Sequence, residues 1–380
     1  MSDILSLNNN ILSLNGEILK LPSIEPPPTF EFISVWSTTG SSETINLPLT
    51  SFGSYNFTVN WGDGSPNNTI TTWNQAETSH TYTNPGTYTV TLDGLIDGFS
   101  FSSYPSISKK IIEIKKWGSL RLGTGSVGSV GFYFSNCSNL ILTGVTDVPI
   151  LSATTDLSGT FQNCTSITSI NNLELWDTSN VTNMTSMFRN IPNFNQNINS
   201  WNVSNVTNMA NIFNASTNFN QPLNNWNTAK VSNMSGMFNF TSFNQDISNW
   251  VTSAATDMNN LFASTPFNQN INNWNVSNVT NMGAMFANNT AFNQPLNNWS
   301  TSKVTNMISM FNGTSSFNQN IGNWVTSGVT NMSFMFRNAF AFNQNLSGWC
   351  VTLIPSKPTS FDLNVTGWVL PKPIWGTCPT

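Results

Sequence analysis

Large hydrophobic residues recur along the chain at a long, nearly constant period, with polar residues between them. Tryptophan stands at Trp176, Trp201, Trp226, Trp250, Trp274, Trp299, Trp324 and Trp349, in steps of 24 or 25 residues. Met184, Met209, Met234, Met258, Met282, Met307 and Met332 each follow a tryptophan by eight residues. Phe188, Phe213, Phe238, Phe262, Phe286, Phe311 and Phe336 come four residues later. A Phe-Asn-Gln triplet then begins at Phe194, Phe219, Phe243, Phe267, Phe292, Phe317 and Phe342, and an Ile or Leu follows each. A unit this short cannot bury its own Trp, Met and Phe, but stacked units bury them against one another in one continuous core. The tryptophans are therefore read as core residues, not as exposed platforms.

The register continues upstream in weaker form. Phe134 and Phe161 precede Phe188 in steps of 27 residues, and each is followed three residues later by cysteine, in FSNCSNL and FQNCTSI. Cys137 and Cys164 thus read as buried thiols in a ladder. Within a unit, W-x-[VT] alternates as a short strand does. The segment V-[ST]-N-M-x-x-[MIL]-F places Val, Met and Phe as a helical or 3₁₀ turn would. Strand plus short helical turn, repeated, predicts a mainly β fold with short helical turns: a leucine-rich-repeat-type solenoid of 24- to 27-residue units over 118–349. Asn183, Asn208, Asn233, Asn281, Asn306 and Asn331, with Asp257 in the same column, are expected to hydrogen-bond turn backbone.

Residues 29–117 carry a different pattern. YNFTVNWGDGS at 55–65 alternates Phe57, Val59 and Trp61 before a Gly-Asp-Gly turn. HTYTNPGTYTVTL at 80–92 alternates Tyr88, Val90 and Leu92 after a Pro-Gly turn. Alternation bounded by turn residues predicts antiparallel strands. The WGDG and PGxYxVxL motifs together resemble a PKD-type domain, which implies an Ig-like β-sandwich shielding the first repeat. At the other end, residues 350–380 leave the register, are proline-rich and read as a cap. Residues 1–28 echo LSLNN, LSLNG and LKLP before Pro26-Pro27-Pro28, a stiff linker. They read either as a disordered tail or as a peptide that docks on a virion or fibre subunit.

Composition changes the picture in one respect. Hydrophobic residues make up 38% of the chain and aromatics 12%, enough for a core, but charged residues only 8%. A soluble domain usually has about a quarter, so Asn, Ser and Thr must keep this surface in water. Such surfaces suit proteins working outside cells or on virus particles. Net charge is −5, and the 12 basic residues form no stripe, which argues against nucleic acid as a partner. The absence of an apolar run of membrane-spanning length argues against membrane insertion. The N-terminus shows no basic, apolar and small-residue succession of an export signal. Four cysteines are too few for a disulfide framework. Cys350 and Cys378 flank the C-terminal segment, where they either bridge or stay free.

Catalytic chemistry finds little to work with. His80 is the single histidine and falls in a strand pattern. Asp63, in WGDG, reads as a turn-capping carboxylate rather than a calcium ligand. Asp156, Glu174, Asp177, Asp246 and Asp257 are scattered, without the paired placement of a glycosidase. No phosphate-loop, dinucleotide, nucleophile-elbow or zinc motif occurs, so the expectation is a non-enzymatic protein without cofactor or metal. Candidate ligand-binding positions are the polar residues beside each expected strand: Asn202, Ser204, Asn227, Ser253, Asn275, Ser277, Ser300 and Ser302. They are uncharged hydrogen-bonding groups suited to carbohydrate or protein surfaces.

The repeat W-[DN]-[TV]-S-N-V-T-N-M-x-x-M-F…F-N-Q-x-[IL]-x-x-W resembles that of BspA-like surface proteins and mycoplasma surface lipoproteins, over about 130–350. FSNCSNL resembles the related BspA leucine-rich repeat. The resemblance implies display on a cell or particle surface and adhesion to a host-surface glycan or protein. With no export signal in view, and with an N-terminal string like those of phage appendage proteins, the expectation is a virion-surface appendage or decoration. A purely structural virion or fibre component and a bacterial cell-surface or extracellular adhesin are the alternatives.

Overall fold

The computed structural model describes residues 30–122 and 131–379, together with the backbone of three short strands nearer the N-terminus. Those strands, β1 (Ser6–Asn8), β2 (Ile11–Leu14) and β3 (Glu17–Leu19), form an antiparallel meander. Apart from that backbone, the segment 1–28 assigned to docking lies outside the described residues, as does its proline linker.

Residues 32–121 build the antiparallel sheets. Their strands are β4 (Phe32–Thr38), β5 (Glu43–Asn46), β6 (Leu49–Asn60), β7 (Asn68–Ile70), β8 (Ser79–Tyr82), β9 (Gly86–Phe99), β10 (Ile111–Lys116) and β11 (Leu120–Arg121). One sheet runs β10-β4-β9-β6-β7, with β11 parallel to β9, and β5 pairs with β8 apart from it. The alternation sets the faces: Phe57, Val59, Trp61, Val90 and Leu92 are buried, while their neighbours Asn56 and Asn60 are exposed. The WGDG turn needs its first glycine. Gly62 has a φ of +78°, and a Cβ there would lie 2.3 Å from the Thr89 carbonyl oxygen.

The repeats join this sheet through parallel bridges from Glu113 to Ile141 and from Arg121 to Ile150. A single file of one-residue parallel bridges then runs Asp156, Asn183, Asn208, Asn233, Asp257, Asn281, Asn306, Asn331. Past each bridge, alternate backbone N–H groups donate to the next unit. Met184 donates to Asn208 O (2.9 Å), Ser186 to Ala210 O (2.8 Å), Phe188 to Ile212 O (2.9 Å) and Asn190 to Asn214 O (2.8 Å). The same set recurs from Met234, Gly236, Phe238 and Phe240.

This corrects the fold expected from the repeat. Among the described residues there is no α-helix, only three-residue 3₁₀ turns at Ala76–Thr78, Phe101–Ser103 and Leu173–Leu175. The strand-plus-helix solenoid of the leucine-rich-repeat type is not what forms, and the sandwich expectation reduces to the sheet and the separate β5–β8 pair. The fold is mainly β, with small antiparallel sheets before the repeats and turns joined by isolated bridges within them. The physical reason lies in φ. Ser186, Asn211, Gly236, Asn260, Ala284, Ser309 and Phe334, three residues past each bridge, all have positive φ, and so do Asn190, Ala215, Phe240, Ser264, Asn288, Gly313 and Asn338, four residues further on. Two left-handed residues four apart cannot sit in a right-handed helix. Their own N–H groups, and the one midway between them, donate along the stack to the next unit, while the others bond within the unit. The expected strand at W-x-[VT] carries no bridge, and pairing falls on the asparagine column instead.

Large side chains fill the interior. All eight repeat tryptophans are at most 4% exposed. From Trp201 onward each indole donates to the carbonyl of the preceding unit, from Trp201 to Leu173 O (2.8 Å) through Trp349 to Ile321 O (3.1 Å). Within a unit Phe238 stacks on Phe243 at 3.8 Å, and between units it stacks on Phe262 at 5.9 Å. Such a core, worth about 1.5–3 kcal/mol per fully buried large side chain, holds the stack together alongside the hydrogen bonds between units.

Both ends of the ladder are occupied. The Phe101 N–H donates to Tyr133 O at 3.0 Å, so the sheet region meets the first unit. At the far end Phe334, Phe336 and Asn338 donate to Thr359, Phe361 and Leu363. There Pro358 holds the register position of the repeat methionine and has no N–H to pass on. Cys350 and Cys378 form a disulfide that ties the last segment down, and Val351 N–H donates to Thr377 O at 2.8 Å beside it.

Candidate functional site

The polar column chosen from sequence is spent largely on turns. Asn202 Oδ1 accepts from the Ser204 N–H (3.1 Å) and from its hydroxyl (2.7 Å). Asn227 Oδ1 accepts from Ala229 N–H at 3.2 Å, and Asn275 Oδ1 from Ser277 N–H at 3.1 Å. Ser253 lends its carbonyl to Asn278 Nδ2 at 2.8 Å. Ser300 and Ser302 are exposed. The bridge column works in the same way. Asn183, Asn208, Asn233, Asp257, Asn281, Asn306 and Asn331 each accept the N–H two residues ahead, at 2.8–3.1 Å. These are Asx turns, in which the side chain satisfies backbone that neither strand nor helix would.

Concavity lies on another face, formed by the residues just before each tryptophan. One cleft of about 590 Å³ is lined by Glu174, Gln196, Asn197, Asn199, Ser200 and Asn225. A second, of about 440 Å³, includes Asn320, Asn323, Gln344, Asn345 and Ser347. The two clefts sit far apart in the chain but use the same repeat positions. The face is internally braced: Asn199 Nδ2 donates to Asn224 Oδ1 (3.0 Å), and Asn199 Oδ1 accepts from Asn225 N–H (2.9 Å). The Asn225, Asn273 and Asn298 side chains remain exposed along it. The Q-x-[IL]-x-x-W positions carried this signal in sequence, but their composition matches that of the column beyond the tryptophan.

A third cleft, of about 270 Å³, lies in the sheet region. Its walls are Leu49, Thr50, Ser51 and Phe52 from β6, Trp73 from the loop after β7, and Ser100, Ser102, Ser103 and Tyr104 after β9. Trp73 is 40% exposed and Phe52 44%. Each stands on a braced segment, Trp73 on a loop and Phe52 on the irregular stretch of β6. Gln75 Oε1 accepts from Thr71 N–H (2.8 Å) and Thr72 N–H (3.1 Å), while its Nε2 donates to Thr69 O (2.8 Å). The Tyr55 hydroxyl, 2.9 Å from Thr50 N and 2.7 Å from Gly98 O, holds the irregular stretch of β6 between Leu49 and Ser54.

Several ionisable groups are paired. His80 Nε2 lies 2.7 Å from Asp63 Oδ2, and the His80 ring stacks on Trp61 at 4.9 Å. Burial opposes ionisation of Asp63, but hydrogen bonds from Ser65 and His80 bring its pKa down to about 2. The carboxylate sits between serine and histidine, an order that cannot pass a serine proton to the imidazole as a catalytic triad does. The Lys110 ammonium and two backbone N–H groups lower the Glu43 pKa to about 2. Asp362 is bracketed by Lys357 and Lys372 at 2.5 and 2.7 Å. Burial pushes the Cys137 and Cys164 thiols up, and Cys164 Sγ donates to Phe134 O at 2.9 Å. Among the described residues no group of three or more His, Cys, Asp or Glu is placed to hold a metal ion, and no helix is long and apolar enough to cross a membrane.

The family model described as "Mycoplasma protein of unknown function, DUF285" matches the chain over residues 155–272 and again over 256–365, together more than half of its length. The chain belongs to the DUF285 family. The DUF285 matches take in the bridge file from Asp156 onward and both clefts of the repeat face, while the sheet region precedes them. Membership fits a repeat-rich protein of surface type. No curated protein and no solved structure matches the chain.

Proposed function

We propose that this DUF285 protein is a surface-displayed recognition protein that holds a cell-surface glycan or protein along the face preceding its tryptophans. The observation that carries the reading is the recurrence of one polar cleft at equivalent repeat positions, around Asn197 and again around Asn345. A stack with a regular spacing, 6.2–6.4 Å between adjacent stacked tryptophans, offers amide and hydroxyl groups repeatedly, with carboxylates at Glu174 and Asp246 on the same face. Repetition suits an extended or repetitive partner, since weak equal contacts add through effective concentration. Amide side chains both donate and accept, so they replace water on a neutral polar partner at little cost. The BspA-like form of the repeat and the PKD-like form of the WGDG and PGxYxVxL segments support the same reading, because both resemblances are to modules displayed on surfaces.

The test uses intact protein with whole bacterial cells and with purified envelope polysaccharide and protein fractions. Retention is expected, with a loss of about tenfold or more on pairing Asn225→Arg with Asn298→Arg. Both side chains are exposed, so these variants should fold. Failure of every cell, glycan and protein fraction to retain the wild type would overturn the reading.

A further inference from the structure

We infer that the cleft of the sheet region is a binding site for a neutral saccharide, with Trp73 and Phe52 as its stacking surfaces. The inference rests on the recognition reading and gives it a ligand class and a second place on the chain. Three observations lead to it. First, the cleft joins two exposed aromatic rings with the half-buried Tyr104. Trp73 keeps 40% of its surface exposed, and its loop is held by three hydrogen bonds of one glutamine. The ring is thus held out toward solvent on a rigid support, which lowers the ordering cost of binding. Second, the polar groups of the walls are hydroxyls: Thr50, Ser51, Ser100, Ser102 and Ser103. A hydroxyl donates and accepts, matching the hydroxyls of a sugar. Third, no charged residue lines the cleft, so a phosphate, a carboxylate or an ammonium group would find no counter-ion.

The chemistry of a pyranose fits this combination. One face of the ring is a patch of C–H groups with slight positive charge, which packs on the negative face of an aromatic ring. The ring edge carries hydroxyls that reach the exposed Ser51, Ser102 and Ser103, while the buried Ser100 hydroxyl is bonded within the protein. At about 270 Å³ the cleft is just below the usual size of small-molecule sites, so it takes a sugar or two of a chain whose remainder runs outside. Ser100 connects the cleft to the repeats, because its hydroxyl lies 3.2 Å from both Gly131 O and Phe132 O.

The experiment is calorimetric titration of the intact protein with cellotetraose, maltotetraose and chitotetraose, and with trigalacturonate as a charged probe. At least one neutral tetrasaccharide is expected to bind and trigalacturonate is not. Trp73→Ala and Phe52→Ala should each weaken the neutral probe by about tenfold or more with an unchanged unfolding curve. Equal affinity in wild type, Trp73→Ala and Phe52→Ala would overturn the inference. So would failure of all the neutral probes to bind while cells still retain the protein, and that outcome leaves the recognition reading standing. Failure of probes and cells alike would overturn both.

Discussion

Replacing Trp274 in two steps separates the roles of the indole N–H and of the ring that carries it. The side chain is 2% exposed, stacks on Trp250 at 6.2 Å, packs against Phe262 at 6.0 Å and donates to Ile247 O at 3.1 Å. Trp274→Phe keeps most of the ring and removes one of two donors to the Ile247 carbonyl, which keeps the Trp250 N–H at 3.1 Å, so the lost hydrogen bond should cost about 0.5–1.5 kcal/mol. Trp274→Ala removes the ring as well and should cost about 3–5 kcal/mol, the usual range for emptying a buried aromatic site. Each unit contacts chiefly its neighbours, so the damage should stay local and divide the stack. Urea unfolding followed by far-ultraviolet circular dichroism should then show a second, earlier transition, and limited proteolysis should cut near residues 250–286 first. Trp73→Ala, at an exposed position, is the control and should not move the curve. A cost below about 1 kcal/mol for Trp274→Ala, with the single transition intact, would refute the claim that the tryptophan column holds the units together.

Other substitutions test neighbouring steps. Asp257→Asn should lie within about 0.5 kcal/mol of wild type, because asparagine keeps the acceptor that Asn259 N–H uses at 2.8 Å. Asp257→Ala should cost about 1 kcal/mol; equal unfolding midpoints for the two variants would contradict the turn-forming role. Opening the disulfide with Cys350→Ser and Cys378→Ser should destabilise by about 2–4 kcal/mol and free the last segment to protease first. Cys137 and Cys164 should react with a thiol reagent only after denaturation, since both are fully buried. Asp63 and Glu43 have folded pKa values of about 2, below their ordinary values of 3.8 and 4.5. The stability they contribute is therefore complete above about pH 5 and is lost as pH falls toward about 2. Asp63→Asn and Glu43→Gln should flatten that acid limb, as read from urea midpoints across the same range.

Much of the stack was legible in the sequence because burial acts on large side chains. A tryptophan every 24 or 25 residues, each with its methionine and phenylalanine, is the pattern that a shared core between stacked units requires. The helical turn misled because Val, Met and Phe sit at helical spacing while the deciding property, positive φ, leaves only a faint mark. Ordinary residues such as Ala284 and Phe334 occupy those positions. Only Gly236 and Gly313, with the Asn and Ser around them in the same columns, hinted at left-handed backbone. The asparagine column was recognisable as turn chemistry, but that it also carries the bridges was not. The cleft face was missed because two polar columns of similar composition flank each tryptophan, and composition does not say which is concave. Trp73 passed unnoticed because it stands outside the repeat register, and exposure, not spacing, marks it out.

The proposed binding face is best probed by a hydrogen-exchange footprint of the intact protein, with and without the cell-surface fraction that retains it. Protection is expected at the positions preceding the tryptophans, around residues 196–200, 221–225 and 320–323. Protection at Asn202, Asn227 and Asn275 with none on that face, or no change along the repeats at all, would contradict it.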